Sequence, residues 1–143
     1  MRRILFASDF SKASRKAFAT AVKSAKQAHA SLSIIHVLAP FLPVGPDQYV
    51  GPETWTEIDE RARKWATQHL AALATKAKAG GVRATTALIE GTPAREITRF
   101  AKKKHADLLI IGTHGRTGLA RLFLGSVANQ IVATAPCPVM TVR

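Results

Sequence analysis

The chain has 143 residues, and 21 Lys and Arg residues against 9 Asp and Glu residues give a formal net charge of +12. This length suits one domain with a sizeable core, so we interpret residues 1–143 as a single domain. A hydrophobic content of 47% argues against a disordered chain. Cys137 is the lone cysteine, which excludes an internal disulfide and leads us to expect a reducing, cytoplasmic location. No apolar run approaches the roughly 20 residues of a spanning helix, so we expect no membrane partner.

Short apolar runs alternate along the chain with longer stretches that have helical spacing. The short runs predict strands at Arg3–Ser8, Ser31–Leu38, Val82–Ile89, Leu108–Gly112 and Pro138–Val142. The longer stretches predict helices at about Ser11–Ala28, Glu53–Lys78, Thr92–Lys104 and Ser126–Ala135. The fourth run is apolar throughout, which is typical of a strand covered by helices on both faces. This alternation predicts an α/β fold with a doubly wound sheet.

The first two predicted helices each have a distinct face. The first helix is amphipathic, and its basic face consists of Lys12, Arg15, Lys16, Lys23 and Lys26. We interpret that face as solvated, and the alternative is an electrostatic contact with nucleic acid or an acidic partner. The second helix has a predicted core-facing stripe of Trp55, Ile58, Ala62, Trp65, Ala66, His69, Leu73 and Ala77. His36, in the second strand, also falls in a core-facing pattern.

The segment after the fourth predicted strand is the most informative part of the chain. Gly112, Gly115 and Gly118 recur at every third residue, and Gly125-Ser126 opens the last predicted helix. Glycines let backbone N–H groups approach a ligand, and a helix N-terminus binds anions through its free N–H groups. Arg116 lies inside the segment and can pair with phosphate. The pattern predicts a phosphate-binding cradle, with a glycine-rich turn and an ordinary helix start as the alternative.

Two familiar phosphate-binding motifs do not describe this segment. A Walker A loop needs a Lys after its second Gly, and the segment lacks it. A dinucleotide fingerprint needs Gly-x-Gly-x-x-Gly directly after a strand, which is also missing.

The residues instead resemble the universal stress protein family. The spacing Gly112-x-x-Gly115, nine residues, then Gly125-Ser126 is similar to the ATP-binding signature of that family. Three other segments resemble its opening strand, the start of its third helix and its last third: Ile4–Ser11, Gly91-Thr92-Pro93, and Asp107–Gly118 together with Pro136–Val139. The resemblance therefore extends along nearly the whole chain.

The resemblance implies a Rossmann-like, five-stranded parallel sheet in the order 3-2-1-4-5 with helices on both faces. It implies that Ala7, Asp9 and Val37 line the adenine and ribose side of a nucleotide site. The residues expected to hold the ribose and the phosphates are Gly112, His114, Gly115, Arg116, Gly125, Ser126 and Val127, with Gly118 in the same glycine-rich segment. ATP is the implied cofactor, with Mg²⁺ or Mn²⁺ carried on its phosphates. A homodimer through the C-terminal strand is also implied, and an apolar edge strand invites such pairing.

Two of these residues have a second interpretation. Asp9 follows the first strand and could cap the first helix instead of contacting a nucleoside. His114 could contact phosphate or ribose, or it could be a plain loop residue.

The sequence favours an ATP-binding regulatory or stress-protection module, not an enzyme with fast turnover. No metal-ligand cluster and no catalytic triad spacing is visible, so we expect at most slow ATP hydrolysis. One alternative is a nucleotide-activating ligase or transferase, which would use the loop Pro40–Pro52 as the wall of a second pocket. The other is a basic, nucleic-acid-associated protein that binds through the first helix.

Overall fold

The computed structural model describes residues 1–40, 51–113 and 124–143. Strands and helices alternate in the order β1 (Arg3–Ala7), α1 (Lys12–Gln27), β2 (Ser31–Leu38), α2 (Pro52–Ala79), β3 (Ala84–Glu90), α3 (Pro93–Lys103), β4 (Leu108–Gly112), α4 (Ser126–Thr134) and β5 (Val139–Val142). The strands form one parallel sheet in the order β3-β2-β1-β4-β5, which confirms the expected fold. The bounds predicted from the sequence differ from these by no more than two residues.

The sheet lies between two layers of helices, and β1 is its central strand. Side chains of a strand point alternately to opposite faces, so Ile4 and Phe6 pack beneath α1 and α2. Leu5 and Ala7 pack on the other face, beneath α3 and α4. The four apolar residues 108–111 of β4 are all buried, as the continuous apolar run predicts.

Helix α1 begins and packs as its sequence predicts. Ser11 is its N-cap, and the Ser11 hydroxyl accepts a hydrogen bond from the Ser14 N–H at 3.1 Å. Small residues, Ala17, Ala21 and Ala25, form the buried side and let the helix lie close to the sheet. The five Lys and Arg residues of the basic face are all exposed.

The predicted core stripe of α2 is confirmed at Ala66 and Ala77, which are buried, and wrong at Trp65, which is 39% exposed, and at His69, which is exposed. The other stripe residues, Trp55, Ile58, Ala62 and Leu73, are half-buried. A helix of 28 residues is about 42 Å long, and the eight-residue strand β2 spans only about 26 Å. Arg63 forms an ion pair with Glu90, the last residue of β3, so residue 63 lies level with the end of the sheet. Residues 52–62, the overhanging part of α2, therefore extend beyond the carboxyl end of the sheet.

Asp107 joins the amino ends of the two central strands. Its Oδ2 accepts hydrogen bonds from the N–H groups of Arg2 and Arg3 at 2.7 and 2.8 Å. These two backbone donors lower the pKa of the Asp107 carboxyl below its ordinary value. The ionised carboxylate therefore holds the start of β1 against the start of β4.

Along the described ranges, no helix is long and apolar enough to cross a bilayer.

We expect Asp107→Asn to lower the stability of the fold at neutral pH, because a neutral amide accepts these hydrogen bonds more weakly. The folded-state pKa is depressed, so the carboxylate contributes stability above the unfolded pKa of about 3.9. That contribution is lost as the pH falls through the lowered folded pKa. When urea unfolding is measured from about pH 7 down to about pH 2, the free energies of unfolding of the variant and the wild type should become equal in acid. Asp59→Asn, at an exposed pair on α2, is the control, and a difference independent of pH would contradict the assignment.

Candidate functional site

A pocket of about 550 Å³ opens at the carboxyl ends of the central strands. Its walls come from the ends of β1, β2 and β4 and from the first turns of α3 and α4. This is where the order of strands reverses, because the chain proceeds from β1 to β2 on one side and resumes at β4 on the other. Doubly wound sheets bind ligands in the crevice at this position.

Every predicted site residue that the structure describes lies in the wall of this one pocket. These residues are Ala7, Asp9, Val37, Gly112, Gly125, Ser126 and Val127. The other four predicted residues, His114, Gly115, Arg116 and Gly118, lie outside the described residues. The structure thus brings together residues that are separated by up to 120 positions in the sequence.

Asp9 lies in a tightly bonded turn between β1 and α1. Its Oδ1 accepts a hydrogen bond from the Ser11 N–H at 2.9 Å, while Ser11 and not Asp9 is the N-cap of α1. The preceding Ser8 donates its N–H to the Ile35 carbonyl at 2.9 Å. The Ser8 hydroxyl also bonds the buried Ser14 hydroxyl at 2.8 Å. The alternative role of Asp9 as the helix cap is therefore wrong, and Asp9 is one of the residues that line the pocket.

Gly112 ends β4 beneath the first turn of α1. A Cβ at this position would lie 3.1 Å from the Ser14 nitrogen and 3.2 Å from the Ala13 carbonyl carbon. Such contacts are tighter than a backbone accommodates easily, so a glycine is needed for α1 to approach the strand. Gly112 therefore sets the spacing between α1 and β4 at the pocket as well as lining it.

Helix α4 presents its N-terminus to the pocket. Gly125 is the N-cap, it has no side chain to accept a hydrogen bond, and no side-chain cap is formed. The Gly125 N–H donates to the Thr113 carbonyl at 2.8 Å, which fixes the start of the helix to the end of β4. Ser126 and Val127 follow in the first turn, and both are exposed at the pocket. The backbone N–H groups of this turn make an anion-binding position.

Thr113, Pro93 and His36 are among the pocket residues that the sequence analysis did not assign to a site. Thr113 is buried at the end of β4, and Pro93 begins α3 at the opposite wall. His36 is half-buried and its ring packs against Phe10, as its core-facing pattern predicts, but it also lines the pocket and has its Nδ1 2.7 Å from the Ser8 carbonyl oxygen. Position relative to a strand end signals Thr113 and Pro93. No local pattern signals His36, because its role depends on the neighbouring turn.

The rest of the pocket wall is mainly apolar. Ile97, Ile111 and Ile131 contribute side chains from α3, β4 and α4. In the ranges that the structure covers, no group of three or more His, Cys, Asp or Glu residues could hold a metal ion. The described wall therefore combines an apolar surface, Asp9 and the N-terminal turns of α3 and α4.

Comparison with known families identifies the chain. A model of the universal stress protein family matches residues 1–143. The chain belongs to the universal stress protein family. It is 35% identical over 144 residues to the universal stress protein MJ0531 of Methanocaldococcus jannaschii, covering 99% of this chain and 82% of that protein. It is also 35% identical over 145 residues to the universal stress protein YxiE of Bacillus subtilis, covering 99% of this chain and 98% of that one.

Solved structures of the family share this fold. The universal stress protein UspA from Lactobacillus plantarum superposes with a TM-score of 0.76 at 26% identity, covering 99% of this chain and 97% of that one. A universal stress protein from Archaeoglobus fulgidus in complex with dAMP superposes with a TM-score of 0.66 at 20% identity, covering 100% of this chain and 98% of that one. A universal stress protein in complex with cAMP superposes with a TM-score of 0.70 at 22% identity, covering 99% of this chain and 97% of that one.

We expect Gly112→Ala to destabilise the protein by about 1–3 kcal/mol, because its Cβ pushes α1 away from β4. Urea unfolding followed by circular dichroism measures this change. Gly51→Ser is the matched control, since a Cβ there meets no atom within 4 Å and serine suits the N-cap of α2. Equal stability of Gly112→Ala and wild type would contradict the close approach.

Proposed function

We propose that this protein binds an adenine nucleotide, ATP in particular, and acts as a nucleotide-responsive regulatory or stress-protection module in the cytoplasm. The observation that carries the proposal is the shared pocket of Asp9 and the α4 N-terminus. One end of a nucleotide carries the negatively charged phosphates, and the other is a nucleoside whose sugar has hydroxyl donors. The pocket has a group suited to each.

The α4 N-terminus is suited to the phosphates. Its first N–H groups have no side-chain cap, and the helix dipole adds a partial positive charge there. The Ser126 hydroxyl, exposed at the pocket, can donate one further hydrogen bond. The spacing of Gly112, Gly115 and Gly125-Ser126 resembles the ATP-binding signature, which favours a triphosphate.

Asp9 and the apolar wall are suited to the nucleoside. A carboxylate accepts hydrogen bonds from ribose hydroxyls, and it repels phosphate, so it orients the nucleotide in one direction. Val37, Ile97 and Ile111 offer apolar surface to a base. The dAMP and cAMP complexes of two family members support an adenine nucleotide as the ligand class.

The proposed module turns over ATP slowly if at all. Since the described residues contain no metal-ligand group, Mg²⁺ or Mn²⁺ would be held mainly by the phosphates. The alternative ligase or transferase would need a second pocket beside the loop Pro40–Pro52, of which residues 41–50 lie outside the described residues. A cytoplasmic location suits the single cysteine.

We expect Asp9→Ala to lower the affinities for adenosine and ATP alike, by about tenfold or more, because hydrogen bonds from the sugar to a charged carboxylate are lost. Ser126→Ala should lower the affinity for ATP about twofold to tenfold and leave that for adenosine unchanged, since it removes one hydroxyl from the phosphate end of the pocket. Isothermal calorimetry with both ligands separates the two effects.

Asp59→Ala and Thr134→Ala are the matched controls. Asp59 is exposed on α2 and paired with Arg63, and Thr134 is the last residue of α4, where its hydroxyl bonds the Gln130 carbonyl. Neither variant should change affinity. If folded wild-type protein binds neither adenosine nor ATP, the proposed function is wrong.

We also propose that the protein forms a homodimer through β5. This strand is at one edge of the sheet, and its residue Met140 is 38% exposed. Val132 of the adjacent α4 is 51% exposed. The carbonyls of Pro138 and Val142 accept hydrogen bonds from β4. Alternation then directs the N–H and carbonyl of Thr141 away from β4, where a second chain can pair.

We expect Thr141→Pro to shift the protein towards monomer, because proline removes the outward N–H while leaving the bonds to β4 in place. Thr141→Val keeps that N–H and is the control. Light scattering at several concentrations measures the change, and an unaltered dimer in folded Thr141→Pro would exclude pairing at this edge.

A further inference from the structure

Phe10, directly after Asp9, has a backbone conformation that a bulky side chain rarely adopts. Its φ is 62°, in the left-handed region, where the Cβ of an L-residue is crowded by its own backbone. Such a conformation persists only when the surrounding structure imposes it. Phe10 is not among the described residues that line the pocket, although the preceding Asp9 is.

Phe10 packs against the core beneath α1 and α2, and in the described part of the chain its side chain forms a ring cluster with the rings of three other residues. The Phe10 ring lies 4.6 Å from the ring of His36, 5.1 Å from that of Trp65 and 5.3 Å from that of His69, measured between centroids. Trp65 and His69 stack on each other at 4.0 Å. His36 is in β2, whereas Trp65 and His69 are in α2, so the ring cluster joins three parts of the chain around one side chain.

The ring cluster also bonds to the turn that carries Asp9. The His36 Nδ1 lies 2.7 Å from the Ser8 carbonyl oxygen, and the Phe10 N–H donates to the Ser8 hydroxyl at 3.1 Å. Asp9 is the residue between these two anchored neighbours. Its backbone therefore has little freedom while Phe10 keeps its left-handed conformation.

We propose that Phe10 is a positioning residue for Asp9, held in its left-handed conformation by the rings of His36, Trp65 and His69. The proposal rests on the nucleoside-binding role of Asp9 given above. It extends the site to α2, because Trp65, near the overhanging part of that helix, contacts Phe10 with the edge-to-face geometry that aromatic rings favour.

The test compares three variants at position 10 by their affinity for adenosine. Phe10→Ala removes the ring but keeps a Cβ, so the turn relaxes and affinity should fall about fivefold to tenfold. Phe10→Gly also removes the ring but adopts a positive φ without steric cost, so it should recover part of that loss. Phe10→Leu keeps apolar volume without a flat ring, so its affinity for adenosine should lie between those of the wild type and Phe10→Ala.

Phe18→Ala is the matched control for the loss of a half-buried aromatic ring. Phe18 packs against Phe6 in the core beneath α1, at 5.6 Å between ring centroids, away from the pocket wall. It should lower the urea midpoint without changing the affinity for adenosine. Equal affinity losses in Phe10→Ala and Phe18→Ala would overturn the proposal, because the effect would then be one of general stability.

A double-mutant cycle with Asp9→Ala tests whether Phe10 acts through Asp9. If it does, Phe10→Ala should cost no further affinity when Asp9 is already alanine. Fully additive losses would overturn the positioning role and leave the nucleotide site intact. If wild-type protein does not bind adenosine, the proposed function and this inference are both overturned.

Trp65→Ala keeps the proposal testable if Phe10→Ala does not fold. Trp65 is 39% exposed, so its removal spares the core while taking one ring from the cluster. We expect its affinity for adenosine to fall about twofold or more, and unchanged affinity would contradict the proposal.

Discussion

The pairing of β1 with β4 is the interaction on which the rest of the structure depends. These strands are about a hundred residues apart in the sequence, yet Ile4 pairs with Leu108 and Ala7 with Ile111 at the centre of the sheet. The helix that follows β1 covers one face and the helix that follows β4 covers the other. The two connections therefore diverge at the carboxyl ends of the pair, and the pocket is the space between them.

This pair is secured at both of its ends. At the amino end, the Asp107 carboxylate accepts hydrogen bonds from the first residues of β1. At the carboxyl end, Gly112 allows the first turn of α1 to lie against β4 at backbone distance. A shift of β4 along β1 would break the hydrogen bonds of Asp107 and move Gly112 away from α1. The register of the two strands therefore also fixes the relative positions of Asp9 and the α4 N-terminus.

Most of the fold could be predicted because its signals are local. The apolar run of β4 identifies a buried central strand, and Gly81, at φ 83°, ends α2 where a left-handed residue is needed. The buried stripe on α2 could be predicted only in part, at Ala66 and Ala77 but not at Trp65 and His69, because periodicity shows which side of a helix is apolar but not whether a strand lies beneath it. In the site, Asp9 and Gly125 could be found from their places after strands and before helices. The contacts of Phe10 with His36 and Trp65 could not, since they depend on how α2 overhangs the sheet.

The charges of the chain have two different uses. Two carboxylates join different elements, since Asp107 joins β1 to β4 and Glu90 of β3 pairs with Arg63 of α2. The buried Glu96 instead pairs within α3, with Arg95 and Arg99. Helix α1 has five cations and no carboxylate, including cations in its first turn, where the helix dipole disfavours them. Such an excess of positive charge attracts anions to the whole surface. Attraction alone does not order a ligand, however, so in the proposed complex the orientation of the nucleotide would depend on the few groups of the pocket wall, with Asp9 at the sugar and the α4 N-terminus at the phosphates.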